Sequence, residues 1–225
     1  MSELSPARKT PTAPADDEPG LLSDRAYAAL RDRLITLAIA PGAPIDEDAL
    51  SRSLGMGRTP VREALRRLAL EGLIVVYPRR GTFASSVNIT SLSDISDVRA
   101  QLEPHAAARA ARLADADDRD EVAALLAELG DGPASQTSLI ELDARVHRFV
   151  HRCSRNPYLA RDLDRYLNMS IRIWYVTFDR LPPMQDPVSE HRALLEAIAS
   201  ADAERARTVA LAHVLAFARE MRAVL

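Results

Sequence analysis

Residues that favour β-structure are confined to one short stretch of this chain, and the sequence on either side is patterned for helices. The segment LIVVY (73–77) is rich in β-branched side chains, PRRG (78–81) forms a turn, and TFASS (82–86) returns as a second strand. Upstream of this hairpin, apolar spacing and capping residues predict three helices, at 22–38, 46–54 and 59–71. The order helix, helix, helix, hairpin predicts a small α/β domain in the first part of the chain.

Beyond residue 91 the strand signals disappear, and the sequence predicts six helices near 92–114, 117–129, 137–153, 157–180, 187–200 and 202–223. The fold class is therefore mainly α, with a small N-terminal domain of three helices and a hairpin followed by an all-α helical bundle. The predicted organisation has four segments. These are a disordered, Pro-rich tail at 1–20, the small domain with the hairpin at 21–86, a linker at 87–92 and a helical domain at 93–225.

Composition excludes several classes of protein. The single cysteine, Cys153, rules out a disulfide framework and a multi-cysteine zinc ribbon. No apolar run approaches the roughly 20 residues needed to span a bilayer, and residues 1–20 lack the apolar stretch of a secretory signal. We therefore expect a soluble, cytoplasmic protein without membrane association. The formal charge is +3 over residues 21–90 and −4 over residues 91–225, which favours a polyanion-binding module joined to an acidic body.

The predicted third helix carries an arginine face. Arg58, Arg62 and Arg66 recur every four residues and so share one side of the helix, opposite an apolar stripe that seats it. A short helix, a glycine turn and this helix match helix-turn-helix geometry, in which the second helix of the motif enters the major groove. At the hairpin tip, Arg79 and Arg80 precede Gly81 and suit a wing that touches an adjacent groove. The alternative is a solvated arginine face on a structural helix.

Residues 41–83, PGAPIDEDALSRSLGMGRTPVREALRRLALEGLIVVYPRRGTF, resemble the winged helix-turn-helix of the GntR family of bacterial transcription regulators. The resemblance implies that residues 21–86 form a winged helix-turn-helix DNA-binding domain. It also implies that Arg58 and Arg62 contact bases or phosphates, that Thr59 and Arg66 contact the backbone, and that Gly81 meets the minor groove. Two departures from the family pattern stand out. Gly57 replaces the usual Ser or Thr, which removes a capping hydroxyl, and Glu47-Asp48 occupies a place where some members carry arginine.

Four side chains in the helical domain form a candidate metal site. Asp143 and His147 are four residues apart on one predicted helix and so project from the same face. His191 and His213 lie on consecutive helices, about 15 Å and 17 Å from the intervening turn, so an antiparallel pair places them at nearly the same height. One carboxylate and three imidazoles suit Zn²⁺, Ni²⁺, Mn²⁺ or Fe²⁺. The alternative is a set of hydrogen-bonded structural histidines with a simple Asp–His pair.

Residues 93–223 resemble the FCD domain, the effector-binding domain of FadR-type GntR regulators, and six helices rather than seven resemble its VanR-like variant. The matching segments are VRAQLEPHAAARAA, ELDARVHRFVHRCSRNPYL and EHRALLEAI. In metal-binding members, an Asp-x3-His pair and two later histidines hold a divalent ion, and Asp143, His147, His191 and His213 fall on those positions. Arg99 and Arg172 are candidates to bind an effector carboxylate through their guanidinium forks. The alternatives are that Arg99 only pairs with Glu103 and that Arg172 faces solvent.

Together these features predict a ligand-responsive bacterial transcription regulator and not an enzyme. We expect a homodimer that binds a pseudo-palindromic double-stranded DNA operator as a repressor, with a small organic acid as effector in a metal-containing pocket. One alternative is a metallohydrolase-like helical domain joined to a DNA-binding arm, although the sequence has no H-E-x-x-H motif and no evident general base beside the ligands. The other alternative is a constitutive DNA-binding protein.

Overall fold

The computed structural model describes residues 19–130, 135–177 and 187–223. The chain divides into two compact units, one built from residues up to 33 together with 42–85, and the other from residues 34–41 together with the chain beyond 85. Of the predicted tail, only Pro19 and Gly20 lie in the described part, where they begin the first helix. The domain limits drawn from the sequence remain a prediction.

The N-terminal unit has the predicted order of three helices and a hairpin. Its elements are α1 (Pro19–Ile35), β1 (Pro44–Ile45), α2 (Glu47–Leu54), α3 (Arg58–Leu70), β2 (Ile74–Tyr77) and β3 (Gly81–Ala84). The Asp46 carboxylate caps α2 by accepting hydrogen bonds from the backbone N–H groups of Asp48 and Ala49. Gly55 ends α2 with a φ of 64°, a left-handed conformation that glycine adopts without steric cost. This compact turn directs the chain into α3.

The sheet has three strands, in the order β1-β3-β2, and both pairs are antiparallel. Strand β1 pairs Pro44 with Phe83 and Ile45 with Thr82. The sequence did not predict β1, because two residues are too few to produce an alternating pattern. The apolar stripe of α3 is buried as predicted, in a core with Leu73, which precedes β2, and with residues of α1, β2 and β3: Ala26, Leu30, Val61, Leu65, Leu68, Ile74 and Ala84.

The helical unit contains the six predicted helices. After a short 3₁₀ helix (Ile89–Ser91), they are α4 (Leu92–Leu113), α5 (Ala116–Gly130), α6 (Gln136–Cys153), α7 (Pro157–Thr177), α8 (Pro187–Ala199) and α9 (Ala203–Arg222). Helix α4 packs against α6, α7, α8 and, most extensively, α9. The last residues of the predicted helix 157–180 lie outside the described part of the chain. The mainly α fold class is confirmed.

The core of the helical unit is made mainly of leucine, alanine, valine and isoleucine side chains from α4 to α9, with Phe149 as its largest fully buried residue. The many alanines of α4, among them Ala106, Ala107 and Ala110, keep little side-chain volume between helices and so permit close approach. Within the described ranges, no helix is both long and apolar enough to cross a membrane.

Candidate nucleic-acid interface and metal centre

Helix α3 presents the predicted arginine face to solvent. Arg58, Thr59, Arg62 and Arg66 are all exposed, while Val61, Leu65 and Leu68 on the opposite side are buried. The period of 3.6 residues per turn accounts for both faces, since buried and exposed positions alternate at helical spacing. The structure therefore brings together the four predicted contact residues of this helix on one accessible surface.

Two of these arginines are ion-paired with acids of α2. Arg58 meets Asp48 through Nε, at 2.9 Å from Oδ1, and through Nη2, at 3.1 Å from Oδ2. Arg62 donates from Nε and Nη2 to Oε2 of Glu47, both at 3.2 Å. Arg66, Arg79 and Arg80 make no ion pair within the described ranges. The sequence indicated Glu47-Asp48 only as a departure from the family pattern. The run of three acids at 46–48, shortly before the arginines of α3, was the signal that could have predicted these ion pairs.

The wing tip is the turn between β2 and β3. It places Arg79 and Arg80 in solvent, with the Arg80 N–H donating to the carbonyl of Tyr77 at 3.1 Å. Arg79 has a φ of 62° and Gly81 a φ of 103°, so both adopt conformations with positive φ. At Gly81 a side chain would be strained by the backbone conformation rather than by lack of space, because a Cβ there would contact only the Phe83 ring, at 3.9 Å.

Gly57 occupies the N-cap of α3 and supplies no side-chain hydrogen bond to the helix end. Its φ of −65° and ψ of 165° are accessible to any residue, and a Cβ would meet only Pro60 Cδ, at 3.9 Å. Replacing Gly57 by Ser is therefore expected to raise the free energy of unfolding by about 0.5 kcal/mol, because the hydroxyl can accept from a free N–H of the first turn. Urea unfolding of the wild type and of Gly57→Ser would measure this change in free energy. A loss of stability in the variant would contradict a capping role for the new hydroxyl.

In the helical unit, the four predicted metal ligands converge. Asp143 and His147 come from α6, His191 from α8 and His213 from α9, and all four are buried. Asp143 Oδ1 lies 3.1 Å from His191 Nε2, 3.5 Å from His213 Nε2 and 3.6 Å from His147 Nε2. The Nε2 atoms of His147 and His213 are 3.1 Å apart. The antiparallel arrangement of α8 and α9 predicted from the sequence accounts for this meeting of two helices.

These residues fit a divalent cation. Neither ring nitrogen of His191 makes a hydrogen bond within the described part of the chain, although the side chain is only 1 % exposed. The Nε2 contact with Asp143 is close enough for a salt bridge, but its geometry is not that of a hydrogen bond. Donor separations of 3.1–3.6 Å are those expected for neighbouring ligands on a metal with bonds of about 2.0–2.2 Å. Buried groups positioned for a metal are therefore present.

Two further carboxylates orient the histidines. Glu103 Oε2 lies 3.3 Å from His147 Nδ1, and Glu190 Oε2 lies 2.8 Å from His213 Nδ1. A carboxylate that accepts from Nδ1–H leaves Nε2 with its lone pair free for a metal. Glu103 also contacts His151 Nε2 at 3.1 Å, and the other nitrogen of His151 contacts Asp164 at 2.7 Å. Sequence reasoning identified neither glutamate as a histidine partner, because both are remote in the chain from the histidines they orient.

Burial and charge shift the titration of this cluster. Burial alone raises the pKa of Asp143 and of Glu103, but the neighbouring histidines, and for Glu103 also Arg99, hold both pKa values well below their usual range. Burial lowers the pKa of His147 to about 4, against the opposing influence of Glu103 and Asp143. For His213, hydrogen bonds to Asp143 and Glu190 outweigh burial and raise the pKa to about 9. The two carboxylates are thus ionised, as metal ligation and histidine orientation require, whereas His213 has to release a proton when it binds a metal.

The two arginines predicted to bind an effector occupy different environments. Arg99 is buried and donates from Nε and Nη2 to Glu103 Oε1, at 3.1 and 2.8 Å, and from Nη1 to Ser170 Oγ at 3.3 Å. It also lines a cavity of about 10 Å³, together with the metal-ligand candidates Asp143, His147 and His213 and the apolar Trp174 and Phe217. That volume is about enough for one water molecule.

Arg172 does not line this cavity. It is also not solvent-facing, the alternative considered from the sequence, because it is only 4 % exposed, and burial lowers its pKa. Of the two arginines, the structure brings only Arg99 to the candidate metal ligands.

An exposed arginine face on a helix-turn-helix, a wing and a helical unit with a buried donor set define the class of two-domain DNA-binding regulators. Residues 22–84 match the family of bacterial regulatory proteins called gntR, and residues 94–216 match the FCD domain. The chain belongs to the GntR family, in its FadR-type branch with an FCD domain. It is a DNA-binding transcription regulator and not an enzyme, which removes the metallohydrolase alternative. The VanR-like variant remains a prediction.

Relatives of similar length support this assignment. The chain is 27 % identical over 214 residues to the HTH-type transcriptional repressor RspR of Escherichia coli, covering 89 % of this chain and 90 % of RspR. It is 28 % identical over 200 residues to the repressor GlaR of the same organism, covering 84 % and 90 % of the two chains. The solved structure of E. coli McbR/YncC has the same fold, with a TM-score of 0.73 at 24 % identity, over 86 % of this chain and 93 % of that one.

Proposed function

We propose that this protein is a ligand-responsive repressor that acts in the cytoplasm and binds a pseudo-palindromic operator as a homodimer. Two relatives named as repressors, RspR and GlaR, support repression rather than activation. A dimer would present two copies of α3 to successive major-groove half-sites. Arg58, Thr59, Arg62 and Arg66 would contact the major groove and its backbone, and Arg79, Arg80 and Gly81 would contact the adjacent groove through the wing.

The regulatory site in this proposal is the buried cluster of the helical unit. Its principal support is the convergence of four metal-ligating side chains, one carboxylate and three imidazoles, from three helices on one point, with His191 lacking any hydrogen bond there within the described residues. Asp143, His147, His191 and His213 would hold a divalent ion, of the Zn²⁺, Ni²⁺, Mn²⁺ or Fe²⁺ type. When bound, the ion supplies a positive charge that attracts a small carboxylate.

The protein's own side chains would position that effector. Arg99 reaches the same cavity and lies 3.5 Å from His147 Nε2, so its guanidinium can turn towards an incoming carboxylate. Trp174 and Phe217, whose rings meet edge to face at 5.4 Å, form an apolar wall. Arg172 would contribute only after rearrangement. Because the cavity is so small, an effector must displace the side chains that line it. The effector then binds the displaced conformation more tightly than the original one, and this difference in affinity is what allows it to regulate the protein.

A thermal-shift screen against small carboxylates and sugar acids tests this function. Each compound is added to metal-loaded protein and to protein treated with a chelator. We expect an effector to raise the melting temperature only in metal-loaded protein, because ligand bound to the native state alone stabilises it by RT ln(1 + [L]/Kd). The same compound should then release the protein from its operator.

The screen also separates the alternatives. A compound that stabilises chelated protein equally would demote the metal to a structural role and assign recognition to Arg99. If no compound changed either the melting temperature or operator binding, the protein would be a constitutive DNA binder, contrary to the proposal.

A further inference from the structure

The N-cap and the first two residues of helix α2 are acids: Asp46, Glu47 and Asp48. In a helix-turn-helix the first helix of the motif crosses the DNA backbone, so its N-terminal end lies near phosphates. Free N–H groups at such an end attract phosphate, but here the Asp46 carboxylate already accepts from two of them. This end of α2 is therefore poorly suited to hold phosphate itself, and Glu47 and Asp48 are directed to the arginines of α3.

Both acids bind their arginines by the same edge of the guanidinium. Glu47 accepts from Nε and Nη2 of Arg62, and Asp48 faces Nε and Nη2 of Arg58. Among the residues that the structure describes, this leaves the Nη1 nitrogen of each arginine without a hydrogen bond. The two free donors of a guanidinium edge are what bind guanine O6 and N7 in the major groove. The ion pairs thus fix each guanidinium with a base-reading edge still available.

We propose that Glu47 and Asp48 are positioning residues that set the discrimination of this protein between its operator and other DNA. The inference rests on the proposed DNA contacts of Arg58 and Arg62. At the operator, each arginine reads a base through its open edge and keeps its acid partner. On arbitrary DNA no matching base meets the open edge, which points into the groove, so the arginine reaches a backbone phosphate only by turning away from its acid. The ion pairs therefore weaken binding to arbitrary DNA more than binding to the operator.

Exposure makes this competition possible. The side chains of Arg58 and Asp48 are 69 % and 47 % exposed, and those of Arg62 and Glu47 are 53 % and 36 % exposed. Surface ion pairs of this kind are weak and can be displaced by phosphate. The remaining arginines of the predicted contact set, Arg66, Arg79 and Arg80, have no ion pair within the described ranges and would supply the general attraction for the DNA backbone.

The test uses the full-length protein and two duplexes, one selected by the wild-type protein from a random pool and one of random sequence. The double variant Glu47→Ala/Asp48→Ala is expected to bind the random duplex about tenfold more tightly at low salt. For the random duplex, the slope of log K, the logarithm of the binding constant, against log [salt] should steepen by about 1 for each arginine that is released from its acid. The selected duplex should gain less, so that the ratio of the two affinities falls. Glu47→Gln, which keeps an acceptor for Arg62, should retain more discrimination than Glu47→Ala.

The matched control is Glu121→Ala/Glu128→Ala, which also removes two exposed acids, paired with Arg152 and Arg145 in the helical unit, and should change neither affinity. An equal rise for both duplexes would mean that the acids act only through net charge, and would overturn the inference. An unchanged salt slope for the random duplex would also overturn the inference, because the released arginines would then not be binding phosphates. If the wild-type protein selected no sequence from the pool, the proposed function itself would fail. If a sequence were selected but the wild type and the Glu47→Ala/Asp48→Ala variant discriminated it equally well from random DNA, only the present inference would fail. Melting temperatures confirm that the variants fold.

Discussion

Replacing His191 by alanine is expected to lower the affinity for a divalent metal by more than about 100-fold, because loss of a ligand should exceed the 10- to 100-fold effect of losing an orienting partner. At a metal concentration of 100 Kd the wild-type protein gains about 2.7 kcal/mol of stability, or roughly 5–10 °C in melting temperature for a chain of this size. At the same concentration the variant should gain only about 0.4 kcal/mol, roughly 1 °C. Metal content after dialysis and melting curves with added metal measure the two effects.

His191 is the most informative ligand to replace, because neither of its ring nitrogens makes a hydrogen bond within the described residues. Its removal therefore costs no hydrogen bond there, and a change in stability with added metal reports on metal binding. The control is His105→Ala, which removes an exposed histidine of α4 and should leave metal affinity unchanged. If the metal-dependent rise in melting temperature survived in the His191 variant, the four-residue site would be refuted. The group formed by Glu103, His147 and His151 would then be the next candidate.

Substituting Arg62 by alanine is expected to weaken operator binding by about 10- to 100-fold, as for the loss of one bidentate base contact worth about 1–3 kcal/mol. The slope of log K against log [salt] should also become shallower by about 1 if the guanidinium meets a phosphate. Arg62 lies at the centre of the exposed face of α3, and its removal leaves the Glu47 carboxylate unpaired beside the DNA. Fluorescence anisotropy with a labelled operator at several salt concentrations gives both quantities.

The comparison for this variant is Arg119→Ala, which removes an exposed arginine of α5 and changes the net charge by the same amount. An Arg62 variant with unchanged affinity and salt slope would take this residue out of the interface. Equal losses in the two variants would indicate that only the overall charge matters. A loss confined to the Arg62 variant supports docking of α3 in the major groove.

The local pattern of the sequence determined the order of the elements and which residues share a helical face. Arg58, Arg62 and Arg66 were predicted to lie together because their spacing of four is close to the 3.6-residue turn, and the same rule joined Asp143 to His147. The convergence of His191 and His213 could also be predicted from the sequence, because a short turn forces two consecutive helices to run antiparallel. These predictions depend only on helical periodicity and connection length.

The tertiary structure decided the contacts between elements that are distant in the chain. It pairs Glu47 with Arg62, places Glu103 against His147 and Glu190 against His213, and adds β1 to the sheet. It also shows that Arg172 is buried while only Arg99 lines the small cavity. Periodicity tells which way a side chain points from its own helix, but its partner depends on the angle and height at which another helix packs. Those are set by the side-chain volumes of the whole core, which no local pattern contains.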